Sequence, residues 1–115
     1  MTLLARVVEE HRGDVALAVV EGEVDASNAV EISHRLRSLL TNRSVALVVD
    51  LTQTSYLDSA GINLLFELGD ELRARQQQLR LVVAPGSPIA RPISITGLDA
   101  VVPAFETRDA AILPA

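Results

Sequence analysis

Residues 44–51 (SVALVVDL) form a continuous, largely β-branched apolar run with no polar alternation. A strand apolar on both faces must be covered on both faces, which is the situation of strands in a parallel sheet flanked by helices. Residues 79–84 (LRLVVA) repeat the pattern. Between them, Ile62, Leu65, Phe66, Leu68 and Leu72 recur at helical spacing across residues 59–75, and Arg73 and Arg75 in the last turn complement the helix dipole. Strand, helix and strand joined by short connections imply a parallel crossover, with 44–51 and 79–84 as central strands.

The flanking segments extend this pattern. Residues 3–10 and 14–24 read as strands joined by a tight turn in which Gly13 can take a positive φ, and they predict an antiparallel hairpin. Residues 28–41 read as a helix with Ala29, Ile32, Leu36, Leu39 and Leu40 on its apolar stripe, and Asp25, Ser27 and Asn28 offer N-cap chemistry before it. Ser87-Pro88 reads as the start of a short helix ending near Thr96, with Gly97 just past its end. Pro92 lies inside it and is expected to distort it. Residues 100–105 read as a final strand, where Pro103 suits an edge, and Thr107 caps a brief helix over 108–113. The expected fold class is α/β: one domain over 1–115, order β-β-α-β-α-β-α-β-α, with a four- to five-stranded mixed sheet and about four helices. Leu36, Val48, Leu65, Leu72 and Val82 are its expected core.

Composition removes several functional classes. The chain has 115 residues, 49% of them hydrophobic, so a core can form without metals or disulfides. It has no cysteine, which excludes thiol nucleophiles and cysteine metal sites. All ten basic residues are Arg, which excludes P-loop, Schiff-base and Ser-Lys chemistry. A net charge of −5 and only three aromatic residues argue against nucleic-acid binding. No apolar run reaches the ~18 residues of a membrane span, and no signal peptide is readable, so a cytoplasmic protein without membrane partners is expected.

Catalytic sites are hard to assemble. His11 and His34 are the only histidines, neither has an arguable acid partner, and no Gly-x-Ser-x-Gly elbow exists. Neither shows metal-ligand spacing. Asp50 follows an apolar strand, as a receiver domain's phospho-acceptor does, but the lysine such a domain uses is missing; a capping or turn role is the preferred reading. The expectation is therefore a protein that is not an enzyme, with no catalytic or metal residues and no cofactor of its own.

In open α/β sheets, ligands sit beyond the carboxyl ends of the strands. Those ends carry Gly22-Glu23-Val24-Asp25, Asp50 to Ser59 and Ala84 to Ser87. Asp58 and Ser59 fall at the start of the second helix, where unpaired amides favour an anion. Two readings stay open. In one, Asp58 or Ser59 is an ordinary N-cap, and Gly61 lets the helix approach the sheet. In the other, Ser59 is a surface hydroxyl that a kinase reaches. A phosphate there adds about −1.5 to −2 charge, is held by the free amides, and lies near Asp58 and Asp25.

The Gly22-Glu23-Val24-Asp25 turn, the Val48-Val49-Asp50-Leu51 strand and the Leu57-Asp58-Ser59-Ala60-Gly61-Ile62 turn together resemble the STAS domain, and more narrowly the bacterial anti-sigma-factor antagonists. The resemblance covers nearly the whole chain. It implies a protein that, when unphosphorylated, binds an anti-sigma factor and so releases a sigma factor. The anti-sigma factor is itself a serine kinase using ATP and magnesium. It phosphorylates Ser59, the complex separates, and a separate phosphatase resets the switch. The contact is expected at residues 52–66 and Asp25 to Asn28, with Asp25, Ser27, Asn28, Tyr56, Asp58, Ser59, Ala60, Gly61 and Asn63 as partner-binding residues. The alternatives are a STAS subunit of a signalling or lipid-transport assembly, and a domain that senses a nucleotide or other anion at the second helix, neither regulated by phosphorylation.

Overall fold

The computed structural model describes residues 5–113. Their order is β1 (Ala5–Arg12), β2 (Val15–Val24), α1 (Ala29–Ser38), β3 (Ala46–Asp50), β4 (Thr54–Leu57), α2 (Ser59–Ala74), β5 (Gln78–Val82), α3 (Ala90–Ile95), α4 (Leu98–Val101), β6 (Ala104–Phe105) and α5 (Arg108–Ile112). One mixed sheet runs β1-β2-β3-β5-β6, with β4 pairing β2 beyond the end of β3. Only β1 and β2 are antiparallel to each other. The expected hairpin is present, and both apolar runs occupy interior strands.

The apolar runs are explained by cover on both sides. Ala16, Ala18, Val20, Leu47, Val49, Leu79 and Leu81 meet the helices α1 to α4 in the main core. Alternate residues Val15, Leu17, Ala46, Val48 and Val82 face the other way and pack with Ala111 of α5. Leu36, Val48, Leu65, Leu72 and Val82 are all buried, as expected.

The structure corrects several boundaries. The sheet has six strands rather than four or five, and there are five helices rather than four. The first strand runs on to Arg12, so the turn shrinks to Gly13-Asp14, with Gly13 at φ 61; positions 3 and 4 lie outside the described residues. The first helix stops at Ser38 because a local turn takes over, in which Ser44 Oγ accepts from Thr41 N and Ser44 N donates to Thr41 O. Ser87 is not a side-chain cap: α3 begins at Ala90, and the Ser87 hydroxyl is buried without a partner. Pro92 does not distort α3, since it falls in the first turn, where its missing N–H would have no helical acceptor. Gly97 does sit past the end of α3, at φ 79. Of residues 100–105, only Ala104–Phe105 is strand; Val102 N donates to Leu98 O and closes α4 instead.

The strand that positions the site is β4. β2 pairs with β3 from Val15 to Val19 and with β4 from Gly22 to Val24, with a register shift between Gly22, where φ is 102, and Glu23. Val24 ends opposite Leu57, so the chain leaves both strands at neighbouring points.

Candidate partner-binding site

Two loops start side by side at these strand ends. Asp58 N donates to Val24 O at 3.2 Å and ties them together. In the first loop, Asp25 Oδ1 accepts from Ser27 N at 2.8 Å and Ser27 Oγ at 2.5 Å. Asn28 stands at the N-cap of α1 but does not cap with its side chain. Its Oδ1 instead accepts from Asp25 N, and its Nδ2 donates to Glu23 O, which folds the loop onto itself. The Asp25 carbonyl accepts from Asn28 N and Ala29 N and starts the helix.

In the second loop Asp58 is the N-cap of α2. Its Oδ1 accepts from Ala60 N at 2.9 Å and Gly61 N at 3.2 Å, and its carbonyl accepts from Ile62 N. Two of the amides expected to be free for a phosphate, those of Ala60 and Gly61, are thus already engaged by a carboxylate. Ser59, the first helical residue, points its exposed side chain into solvent.

The remaining site residues divide by exposure. Ser27 and Asn63 are exposed, Tyr56 is 49% exposed, and Asp25, Asn28, Asp58 and Ala60 are half-buried. Gly61 is buried, packed under Leu57 and Val24, so it serves the site by bringing α2 close to the strands. Of the neighbouring hydroxyls, Ser55 is exposed, whereas Thr54 is buried and donates to Val20 O at 2.7 Å.

Sequence reasoning missed one part of this surface. A groove of about 310 Å³ runs between α1 and α2, with Ala29, Val30, Ser33, Ala60, Asn63 and Glu67 among its walls. Val30 is 70% exposed there. Its signal in the sequence was an apolar residue standing off the buried stripe of α1. At the far end, Arg37 makes a two-pronged ion pair with Glu71, both contacts at 2.8 Å, joining the helices. The hydrogen bond to Arg37 holds the Glu71 carboxyl below its ordinary value and raises Arg37 in turn.

Asp50 does not belong to this site. It is buried at the end of β3, accepts from Thr52 N and Thr52 Oγ1, and pairs with Arg108 of α5, which fits the turn role expected of it. His11 lies against the Leu39 carbonyl, and His34 borders the α1–α2 groove.

The STAS domain family model matches residues 6–111. The chain belongs to the STAS domain family. The anti-sigma-F factor antagonist RsfB of Mycobacterium tuberculosis is 32% identical to it, over 87% of this chain and 80% of that protein. An anti-sigma-B factor antagonist of Listeria monocytogenes is 30% identical, over 83% and 82% of the two chains. The crystal structure of an anti-sigma factor antagonist from Mycobacterium paratuberculosis superposes with a TM-score of 0.83 at 27% identity, covering 94% of this STAS domain and 91% of that chain. All three of these similar proteins are named anti-sigma factor antagonists.

Proposed function

We propose that this STAS domain is a non-enzymatic antagonist that binds an anti-sigma factor, releasing a sigma factor, and that phosphorylation of Ser59 switches it off. The anti-sigma factor acts as the serine kinase and supplies ATP and magnesium, a separate phosphatase resets Ser59, and the exchange takes place in the cytoplasm. The binding surface comprises Tyr56, the start of α2 from Asp58 to Asn63, where Ser59 and Asn63 are exposed, and the turn from Asp25 to Asn28.

The observation that carries this reading is the position of Ser59. Its side chain is exposed at the first turn of α2, beside a carboxylate that already caps the helix. A phosphate on Ser59 adds about −1.5 to −2 charge outside the cap, where a partner docks, and leaves the helix as it was. The same geometry disfavours an anion sensor at this helix, since Asp58 holds two of the amides such a ligand would use.

Incubation with a kinase-type anti-sigma factor and radiolabelled ATP tests the proposal. Label is expected on the native chain and not on Ser59→Ala. Label persisting on Ser59→Ala points to Ser55, the exposed neighbour, and removes Ser59 from the mechanism.

A further inference from the structure

β1 is an end strand of the sheet, and among the described residues no strand lies beyond it. It pairs with β2 in continuous register from Ala5 to Arg12 and contains no proline. An edge of that kind is a template for another strand unless something blocks it. Gly13 and Asp14 alone separate Arg12 from its partner Val15, and residues closing a two-residue hairpin exchange both backbone hydrogen bonds. By alternation Arg6, Val8 and Glu10 bond inward to β2, while Ala5, Val7, Glu9 and His11 turn their N–H and C=O groups outward. Arg35 agrees with this assignment. From α1 its Nη2 reaches Val7 O at 3.2 Å, on the side away from β2, and Glu9 Oε1 at 3.5 Å. A carbonyl oxygen accepts twice, so Val7 keeps a lone pair for a strand.

We propose that the β1 edge pairs antiparallel with β1 of a second copy of this chain, about a two-fold axis at Val8. Charge selects that register. Outward-bonding residues must face one another, so the register can move only in steps of two. With Val8 opposite its copy, Arg6 stands opposite Glu10 of the second copy, twice by symmetry, and Val7 opposite Glu9. One step toward the C-terminus sets Arg6 against Arg12 and Glu9 against Glu9; the next sets Glu10 against Glu10. A step the other way sets Arg6 against Val8 and shortens the described overlap to Ala5 through Glu9. Unlike charges directly across a strand pair stabilise it, and like charges oppose it. Arg6 and Glu10 are available to re-pair, because their contacts within the chain are long and exposed: Arg6 to Glu21 at 3.4 Å, Glu10 to Arg12 at 3.7 Å and to Arg108 at 3.9 Å. One strand a side makes a narrow seam, so the dimer is weak and concentration-dependent.

Sedimentation velocity on the full chain, over about 10 µM to 1 mM, tests this. The native chain is expected to move from monomer toward dimer as concentration rises. Arg6→Glu should weaken association about tenfold or more by setting like charges opposite one another, and adding Glu10→Arg should restore it. Glu9→Pro removes an outward N–H and spares the β2 ladder, so it should stay monomeric with an unchanged circular dichroism spectrum. If Glu9→Pro fails to fold, the charge swap alone decides. A native chain that remains monomeric throughout overturns the proposal, as does a dimer that Arg6→Glu leaves equally tight. None of these outcomes depends on Ser59, so they test the dimer separately from the switch.

Discussion

At position 61 an added Cβ would lie 2.4 Å from Leu57 Cδ1 and 3.0 Å from Val24 Cγ1, so the glycine is what lets the first turn of α2 rest on the strand ends that carry Asp25 and Asp58. Leu57 and Val24 are themselves buried, so neither side chain swings aside without disturbing the core. Gly61→Ala should therefore lower stability by about 1–2 kcal/mol, even though alanine favours a helix by about 1 kcal/mol. A urea midpoint at or above the native one would show that Leu57 yields after all. At the next residue outward the effect should fall on binding alone. Ser59→Ala should fold normally and stay bound to the anti-sigma factor. Ser59→Asp should also fold normally but bind about tenfold more weakly, since one carboxylate carries part of a phosphate's charge against the same surface. Calorimetric titration of both variants checks this, and equal affinity for Ser59→Asp would remove the repulsion argument. The sequence pointed to Asp58 and Ser59 because a hydroxyl and a carboxylate at a helix start have few possible roles. It did not reveal which of the two caps the helix. That depends on the approach of α2 to β4, which is a tertiary fact.

The helices and the long strands announce themselves through periodicity, and the short elements do not. β4 has only Thr54 and Leu57 buried, with exposed Ser55 and Tyr56 between them, so no apolar run marks it. It exists because β3 ends at Asp50 and leaves the last residues of β2 without a partner on the side away from β1. The strand expected over 100–105 overlaps α4 because Val101 and Val102 favour β structure locally, yet Gly97 at φ 79 turns the chain into a helical turn first. α2 was read correctly, and its register can be tested. Leu65 is 2% exposed within the main core, so Leu65→Ala should cost about 2–5 kcal/mol through the cavity it leaves. An unchanged denaturation midpoint would mean that this face of α2 does not meet the sheet. The link between α1 and α2 should depend on pH. The Arg37 hydrogen bond lowers the Glu71 carboxyl, burial opposes it less strongly, and the charges of Arg37 and Arg75 add smaller lowering effects. A carboxyl lowered in the folded state stabilises above its unfolded value and loses that contribution as pH falls through the lower folded one. Both groups are partly exposed, so the gain at neutral pH is only about 0.5–1 kcal/mol. Glu71→Gln should be slightly less stable than the native chain at pH 7, and the difference should close in acid.

Across the whole molecule the sheet carries two unequal layers, the four helices α1 to α4 on one face and α5 alone on the other. The continuous apolar character of β3 and β5 required cover on both faces, but nothing in the sequence said that a five-residue helix supplies the second. So small a layer holds by fixed polar contacts as well as by area. Thr107 Oγ1 accepts from Ala110 N and starts the helix. Arg80, buried in β5, donates to Ala111 O at 3.1 Å, and burial lowers its pKa. Arg108 Nε meets Asp50 Oδ2 at 2.5 Å, with the carboxylate 1% exposed and the guanidinium side chain 40% exposed. Removing one member of such a pair is costly because the other charge stays buried without its counter-ion. Thr52 N and Oγ1 still solvate the carboxylate, and the exposed side of Arg108 gains little from burial, so Arg108→Met should cost about 2–3 kcal/mol. Asp50→Asn combined with Arg108→Met removes both charges and should recover part of that loss. The loss should also be local at first. Because the apolar packing of α5 on the sheet rests on Ala111 and Ile112, weakening its ion pair should open this helix before the rest of the fold. Hydrogen exchange by mass spectrometry should then show faster exchange across 107–113 in Arg108→Met, with α1 and α2 nearly unchanged. If exchange rises evenly over the whole chain, α5 is part of the global folding unit and not a separately fastened layer. A double variant as unstable as the single one would show that the charge left on Asp50 is not the cause.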